Sequence, residues 1–150
     1  MEKKAIAKEK KQFVIFKIAD QDFGADIHKV SIIEKSMNIT RVPTAPSFIT
    51  GVVNLRGDII PVMDLRIKFG LEPKEPDDDT RIIMFKLNDV TLGVMVDSVD
   101  EVVNFDDSEI ESVTNITNDR TLDYIAGVGK SGGRIATLLH IEKLITELIA

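Results

Sequence analysis

The stretch with the most suggestive chemistry is Gly127-Val-Gly129-Lys-Ser-Gly132, which meets the G-x-G-x-x-G spacing and contains the Gly-Lys-Ser order of a phosphate loop. Such loops work because backbone N–H groups at the start of a helix converge on the phosphate oxygens. Here the following residues, Arg134-Ile-Ala-Thr-Leu-Leu139, have the pattern of a strand, and Tyr124 stands where a P-loop needs its first glycine. The segment is therefore expected to be a hairpin turn. His28 and His140 are the only histidines and do not form a pair at metal-binding spacing. Asp77-Asp78-Asp79 lacks the alternating ligand spacing of a calcium loop and reads as a solvated connector. No serine sits in a G-x-S-x-G elbow, and no two carboxylates are singled out as an acid–base pair. Arg56-Gly57-Asp58 is the tripeptide used by some extracellular adhesion ligands, but nothing in the sequence indicates secretion or disulfides. The expectation is a protein without catalytic residues, cofactor or metal.

Composition narrows the class. The chain has 150 residues, 43% of them hydrophobic, enough for a folded core. With seven Phe, one Tyr and no Trp, that core must be filled by aliphatic and β-branched side chains, which favours strands. A net charge of −6 opposes nucleic-acid binding through phosphates. The exception is a basic arm with Lys3, Lys4, Lys8, Lys10 and Lys11, interrupted by Glu2 and Glu9 and read as a flexible tail over residues 1–11. The absence of cysteine removes thiolate chemistry and disulfides. Without an apolar run long enough to span a bilayer or a signal-peptide core, the expectation is a cytoplasmic protein with no membrane insertion.

The elements themselves are written twice. At a shift of 69, Phe13-Val-Ile-Phe-Lys-Ile-Ala-Asp20 lies over Ile82-Ile-Met-Phe-Lys-Leu-Asn-Asp89, Gly24 meets Gly93, and Val30 meets Val99. At a shift of 76, Ile49-Thr-Gly-Val52 lies over Ile125-Ala-Gly-Val128, and Gly57-Asp-Ile59 lies over Gly133-Arg-Ile135. Two related units follow, spanning about 12–71 and 80–150, joined by the acidic, proline-containing connector 72–79 within one domain over 12–150. Short strands punctuated by turn residues predict a small barrel in each unit. A lone barrel of this size has a marginal core, so the two should pack through an apolar interface. Ile141, Leu144, Ile145, Leu148 and Ile149 predict a closing amphipathic helix over 141–149. A shorter helical turn is expected between an Asp64 N-cap and a Gly70 stop.

Between the units' strands lies Gly51-Val-Val-Asn-Leu-Arg-Gly-Asp-Ile-Ile-Pro-Val-Met-Asp-Leu-Arg66, a hairpin with a charged tip. It closely resembles the pattern G-V-x-N-L-R-G-x-I-x-P-x-x-D-L-R of CheW-type chemotaxis coupling proteins. The resemblance runs from about Gln12 to Leu148. It takes in the opening F-x-I-F-x-I strand, Gly24-Ala-Asp-Ile27, Gly93 followed by Val96-Asp97, and the Tyr124-Ile-Ala-Gly127 hairpin. It implies a mostly β fold of two packed five-stranded SH3-like barrels with short helices. It also implies a non-enzymatic adaptor that joins the cytoplasmic tip of chemoreceptors to the regulatory domain of the histidine kinase CheA, in arrays at the inner membrane. A coupler of a related receptor–kinase pathway, for surface motility or second messengers, is the alternative; a small-molecule-binding barrel is a further one.

Residue by residue, the resemblance implies partner binding by Val30, Ile32, Glu34, Asn54, Leu55, Arg56, Val99 and Val102, with Gly51, Gly57 and Gly93 as structural turn glycines. The family often carries an acid where this chain has Ile32, with Glu34 two residues on; an apolar contact through Ile32 would replace a salt bridge there. Arg56 has two readings. Its planar guanidinium suits a partner's carboxylate or carbonyls, and it would equally suit a clamp holding the two barrels together.

Overall fold

The structure, a computed structural model, describes residues 10–35, 37–112 and 123–149. The first repeat supplies β1 (Lys10–Ile18), β2 (Gln21–Asp26), β3 (Val30–Glu34), β4 (Ile49–Leu55), β5 (Asp58–Asp64) and the short helix α1 (Leu65–Lys68). The second supplies β6 (Arg81–Leu87), β7 (Val90–Val96), β8 (Ser98–Asp106), β9 (Ile110–Glu111), β10 (Ile125–Ser131), β11 (Arg134–Leu139) and α2 (Ile141–Ile149). Lys10 and Lys11 pair with Asp106 and Phe105, so β1 begins inside the stretch expected to be tail.

The fold is mostly β and consists of two sheets, but neither repeat closes a sheet of its own. One sheet runs β8-β1-β2-β11-β10-β9 and the other β3-β6-β7-β5-β4. Each repeat gives its opening hairpin to the barrel completed by the other. The registers are symmetric. Leu138 pairs with Gly24 in the first barrel, and its repeat mate Val62 pairs with Gly93 in the second. Phe16 pairs with Val99, and Phe85 with Val30. This exchange corrects the expectation of one barrel per repeat. Strand patterning records which face of a strand is apolar, not which copy of a duplicated partner it joins.

Closure is also shared. In the first barrel β9 lies against β10, with Val128 opposite Glu111. In the second, Thr40 bridges Val52 with two 2.8 Å backbone hydrogen bonds. Glycine permits both approaches. A Cβ on Gly51 would stand 2.2 Å from the Thr40 carbonyl oxygen, and one on its repeat mate Gly127 would stand 2.7 Å from the Glu111 carbonyl oxygen. Of the three glycines expected at turns, only Gly57 is at one. Gly51 and Gly93 lie inside strands, where another chain or side chain packs too close for a side chain of their own.

Three apolar clusters organise the interior. Phe13, Ile15, Phe105, Ala136 and Leu138 fill the first barrel, and Val53, Ile60, Val62, Ile82 and Met84 fill the second. Gly129 occupies the position of Val53, and a Cβ on it would stand 2.8 Å from the Phe105 ring; one aromatic ring thus replaces the missing aliphatic side chain. A larger cluster lies between the barrels and includes Phe16, Phe23, Phe85, Leu92, Leu144 and Ile145. That buried seam is the expected apolar interface, and burying the apolar face of α2 in it is what makes so short a helix stable. α1 follows the expected local chemistry. The Asp64 carboxylate accepts from Arg66 N at 2.9 Å, and Gly70 takes a positive φ of 75° after the last turn.

Candidate partner-binding surface

The motif with phosphate-loop spacing is barrel packing. Gly127 admits the Glu111 carbonyl, Gly129 admits Phe105, and Gly132 and Gly133 form the β10–β11 turn with φ of 56° and 82°. The residues after it are β11, so no helix N-terminus faces the loop. Among the described residues no group of three or more His, Cys, Asp or Glu side chains could hold a metal ion, and no helix is long and apolar enough to cross a membrane.

The β4–β5 hairpin differs from its repeat mate at the tip. Arg56 and Gly57 are the two turn residues, with Leu55 opposite Asp58, and their φ values are 53° and 91°. Positive φ at both central positions matches the twist of the flanking strands, and a residue with a Cβ pays a steric cost there. The equivalent of Arg56 is Gly132, which meets the same requirement with no Cβ at all. The Asn54 side-chain oxygen accepts from Gly57 N at 3.0 Å and stiffens the turn. Arg56 itself is exposed and makes no hydrogen bond or ion pair with the described residues.

The inter-barrel clamp lies elsewhere. Arg66 on α1 donates to Asp97 through Nε at 2.9 Å and Nη2 at 2.7 Å, and through Nη1 to the Glu72 carbonyl at 2.9 Å. Asp97 also accepts from Ala19 N, at 2.9 Å, in the turn between β1 and β2. One carboxylate therefore ties the first barrel's opening hairpin to the helix that ends the second barrel. Both side chains are only 17% exposed, and the Arg66 guanidinium holds the Asp97 carboxyl below its usual range. Burial instead pushes the Asp64 carboxyl up, against the pull of its two helix N–H bonds. Lys68 makes a second tie: it pairs with Glu147 on α2 and lies 4.0 Å above the Phe48 ring and 4.7 Å from that of Tyr124, a repeat-related aromatic pair.

The other expected contact residues separate by strand alternation. Val30 and Val99 are half-buried against the inter-barrel core, and Leu55 and Ile32 pack against the second barrel's interior. On β3 the outward isoleucine is Ile33, not Ile32, because a bulge between Val30 and Ile32 sets the phase. Glu34 is half-buried, Asn54 is exposed, and Val102 on β8 is 47% exposed. Ile33 at 39% and Val102 are repeat mates, as are Ile59 at 64% and Ile135 at 60%. Ile59 and Ile135 lie outside the residues that the family resemblance points to. Their signal was there in the alternation, since Ile60 and Ala136 beside them point inward.

With this geometry in hand, the match to known proteins is informative. The CheW-like domain family matches residues 12–148. The chain belongs to that family. CheW proteins named "Chemotaxis protein CheW" from Klebsiella aerogenes and Helicobacter pylori are each 34% identical, the match covering 91% of this chain and 82% of theirs. The crystal structure of the scaffolding protein TtCheW from Thermoanaerobacter tengcongensis superposes with a TM-score of 0.80 at 34% identity, covering 87% of this chain and 89% of that one. The CheW-like signature in this chain thus splits into two parts. Gly51, Asp64 and Arg66 build the fold, and Asn54 and Arg56 are presented to solvent.

Proposed function

We propose that the protein is a non-enzymatic cytoplasmic adaptor of bacterial chemotaxis, coupling chemoreceptors to the histidine kinase CheA. The observation that carries this reading beyond family membership is Arg56. A cation is held at a positive-φ turn position, where the repeat mate uses glycine, and it has no partner among the described residues. Positive φ alone does not single it out, since Ala19, Asp20 and Asn88 share it at other turns; an exposed, unpartnered cation at such a position does. Arg56 and Asn54 form the polar anchor at the β4–β5 tip, with Ile59 as the exposed apolar residue of the same hairpin, and Ile33 on β3 and Val102 on β8 offer separate apolar contacts. Val30, Val99, Ile32 and Leu55 act from beneath by fixing the strands that carry these contacts.

An adaptor of this kind needs rigid exposed anchors and neither a nucleophile nor a shifted catalytic pKa. The test is direct binding of the purified protein to the kinase regulatory domain and to a receptor-tip fragment. Both should bind, and Arg56→Glu should weaken at least one complex while leaving the thermal midpoint within a few degrees. Failure of the parent protein to bind either partner would sink the assignment. A collapsed melt in the variant would return Arg56 to a structural role.

A further inference from the structure

The chain's only two histidines, His28 and His140, are the repeat mates of Asp97 and Asp64, the carboxylates that hold Arg66 and cap α1. As the N-cap of α1, the Asp64 carboxylate accepts from Arg66 N at 2.9 Å and from Ile67 N at 3.4 Å. His140 holds the same place before α2. Its main-chain N–H donates to the Tyr124 carbonyl at 2.8 Å, and its ring Nδ1 accepts from Lys143 N at 3.2 Å. Lys143 is the repeat mate of Ile67. Both helices are thus capped at the same backbone N–H, one by a carboxylate and the other by an imidazole nitrogen.

That exchange changes what a proton can do. Nδ1 can accept the Lys143 N–H only while it carries no hydrogen, which fixes the neutral ring with its hydrogen on Nε2. A further proton must go on Nδ1. There it removes the acceptor and places a positive charge at the helix end where the backbone dipole is already positive. Histidine is the side chain that ordinarily changes charge between about pH 5 and 8, and the His140 side chain is 44% exposed to solvent protons. Among the described residues, Lys11 of β1, Asp26 of β2, Lys29 of the turn before β3 and Glu142 of α2 line the same cavity as the ring. Three of these are already engaged elsewhere: Lys11 lies 3.6 Å from Asp107, Asp26 accepts from His28 N at 2.9 Å, and Lys29 lies 3.4 Å from Glu142. Glu142 Oε1 is 3.9 Å from Nδ1, the acceptor a new Nδ1–H would turn to. Taking it draws Glu142 away from Lys29, the contact that ties α2 to the turn before β3.

We infer that His140 is a pH-sensitive cap: neutral, it closes the first turn of α2, and protonated, it releases Lys143 N, turns to Glu142 and loosens that turn. The effect reaches the seam between the barrels, because Ile141 and Leu144 at this end of α2 are buried in it. His28 caps no α-helix and its ring is largely exposed, so it serves as the internal control. The device acts on the frame of the two barrels and does not depend on the coupling role.

NMR on the full-length protein tests this. At about pH 8, nitrogen–proton correlation spectra of the His140 ring should show hydrogen on Nε2 and a bare Nδ1. The Lys143 amide, corrected for intrinsic exchange, should lose protection about fivefold by about pH 5.5, the size expected for one lost cap bond. His140→Asn supplies a cap oxygen that does not titrate, and should hold that protection constant over the same range. His28→Asn should leave the fall as it is in the parent. Hydrogen on Nδ1 at the higher pH would overturn the inference, as would protection that stays flat in the parent. So would a fall that persists in His140→Asn or vanishes in His28→Asn.

Discussion

The β4–β5 and β10–β11 hairpins occupy equivalent places in the two barrels, yet their tips have opposite chemistry. The β10–β11 turn is two glycines, and the charges around it are internally matched: Lys130 to Glu111 at 3.4 Å, and Arg134 to Asp100 and Glu101, each at 3.1 Å. The β4–β5 turn holds Arg56 in a strained conformation without such a match. Duplicated architecture makes the distinction between scaffold and function readable within one chain. Positions required by the fold recur in both copies, whereas Arg56 adds to its positive φ an exposed cation with no partner among the described residues, which points outside the chain.

The comparison can be broken at three levels, beginning with the contacts that hold the two barrels in one frame. Asp97→Ala removes the carboxylate that binds Arg66 and Ala19 N, and should cost about 3 kcal/mol in urea unfolding, since it leaves a largely buried guanidinium unpaired. Because the folded Asp97 carboxyl is depressed, its contribution is complete above the ordinary carboxylate range and is lost as pH falls through the folded value. The stability gap between parent and variant should therefore narrow in acid. A gap independent of pH would remove the ion pair from the explanation.

The second level is the shared glycine pair. Gly51→Ala should destabilise by about 2–3 kcal/mol and Gly127→Ala by less, because the new methyl would meet a backbone carbonyl at 2.2 Å in one case and 2.7 Å in the other. Equal losses, or the reverse order, would contradict the closer backbone approach at Gly51.

The smallest effect on stability is the most informative about function. Arg56→Gly relieves the positive-φ cost and should raise stability by about 1 kcal/mol while weakening kinase or receptor binding. Gly132→Arg should lower stability by about the same amount and leave that binding unchanged. A fall in stability for Arg56→Gly would assign the side chain a structural role that no contact in the described residues explains.

Much of this is legible in the sequence alone. Aliphatic alternation and turn residues marked the strands, the spacing of Ile141, Leu144 and Ile145 marked α2 to its ends, and Asp64 announced the N-cap of α1. Two kinds of information were not. Side-chain phase along β3 depends on a bulge, so Ile33 rather than Ile32 faces out. The role of clamp, one of two readings of Arg56, belongs to Arg66, because its acceptor Asp97 lies 31 residues away.

Local physics explains the division. Periodicity, capping and turn conformation are set by neighbours within a few residues, so the chain itself determined its elements, its duplication and the charged hairpin tip. Which copy's hairpin completes which barrel, and which arginine is buried against a carboxylate, depend on contacts between distant segments. Only the tertiary structure decided those. It exchanged the repeats' opening strands between the barrels, buried the seam that makes two small cores one, and left Arg56 facing outward.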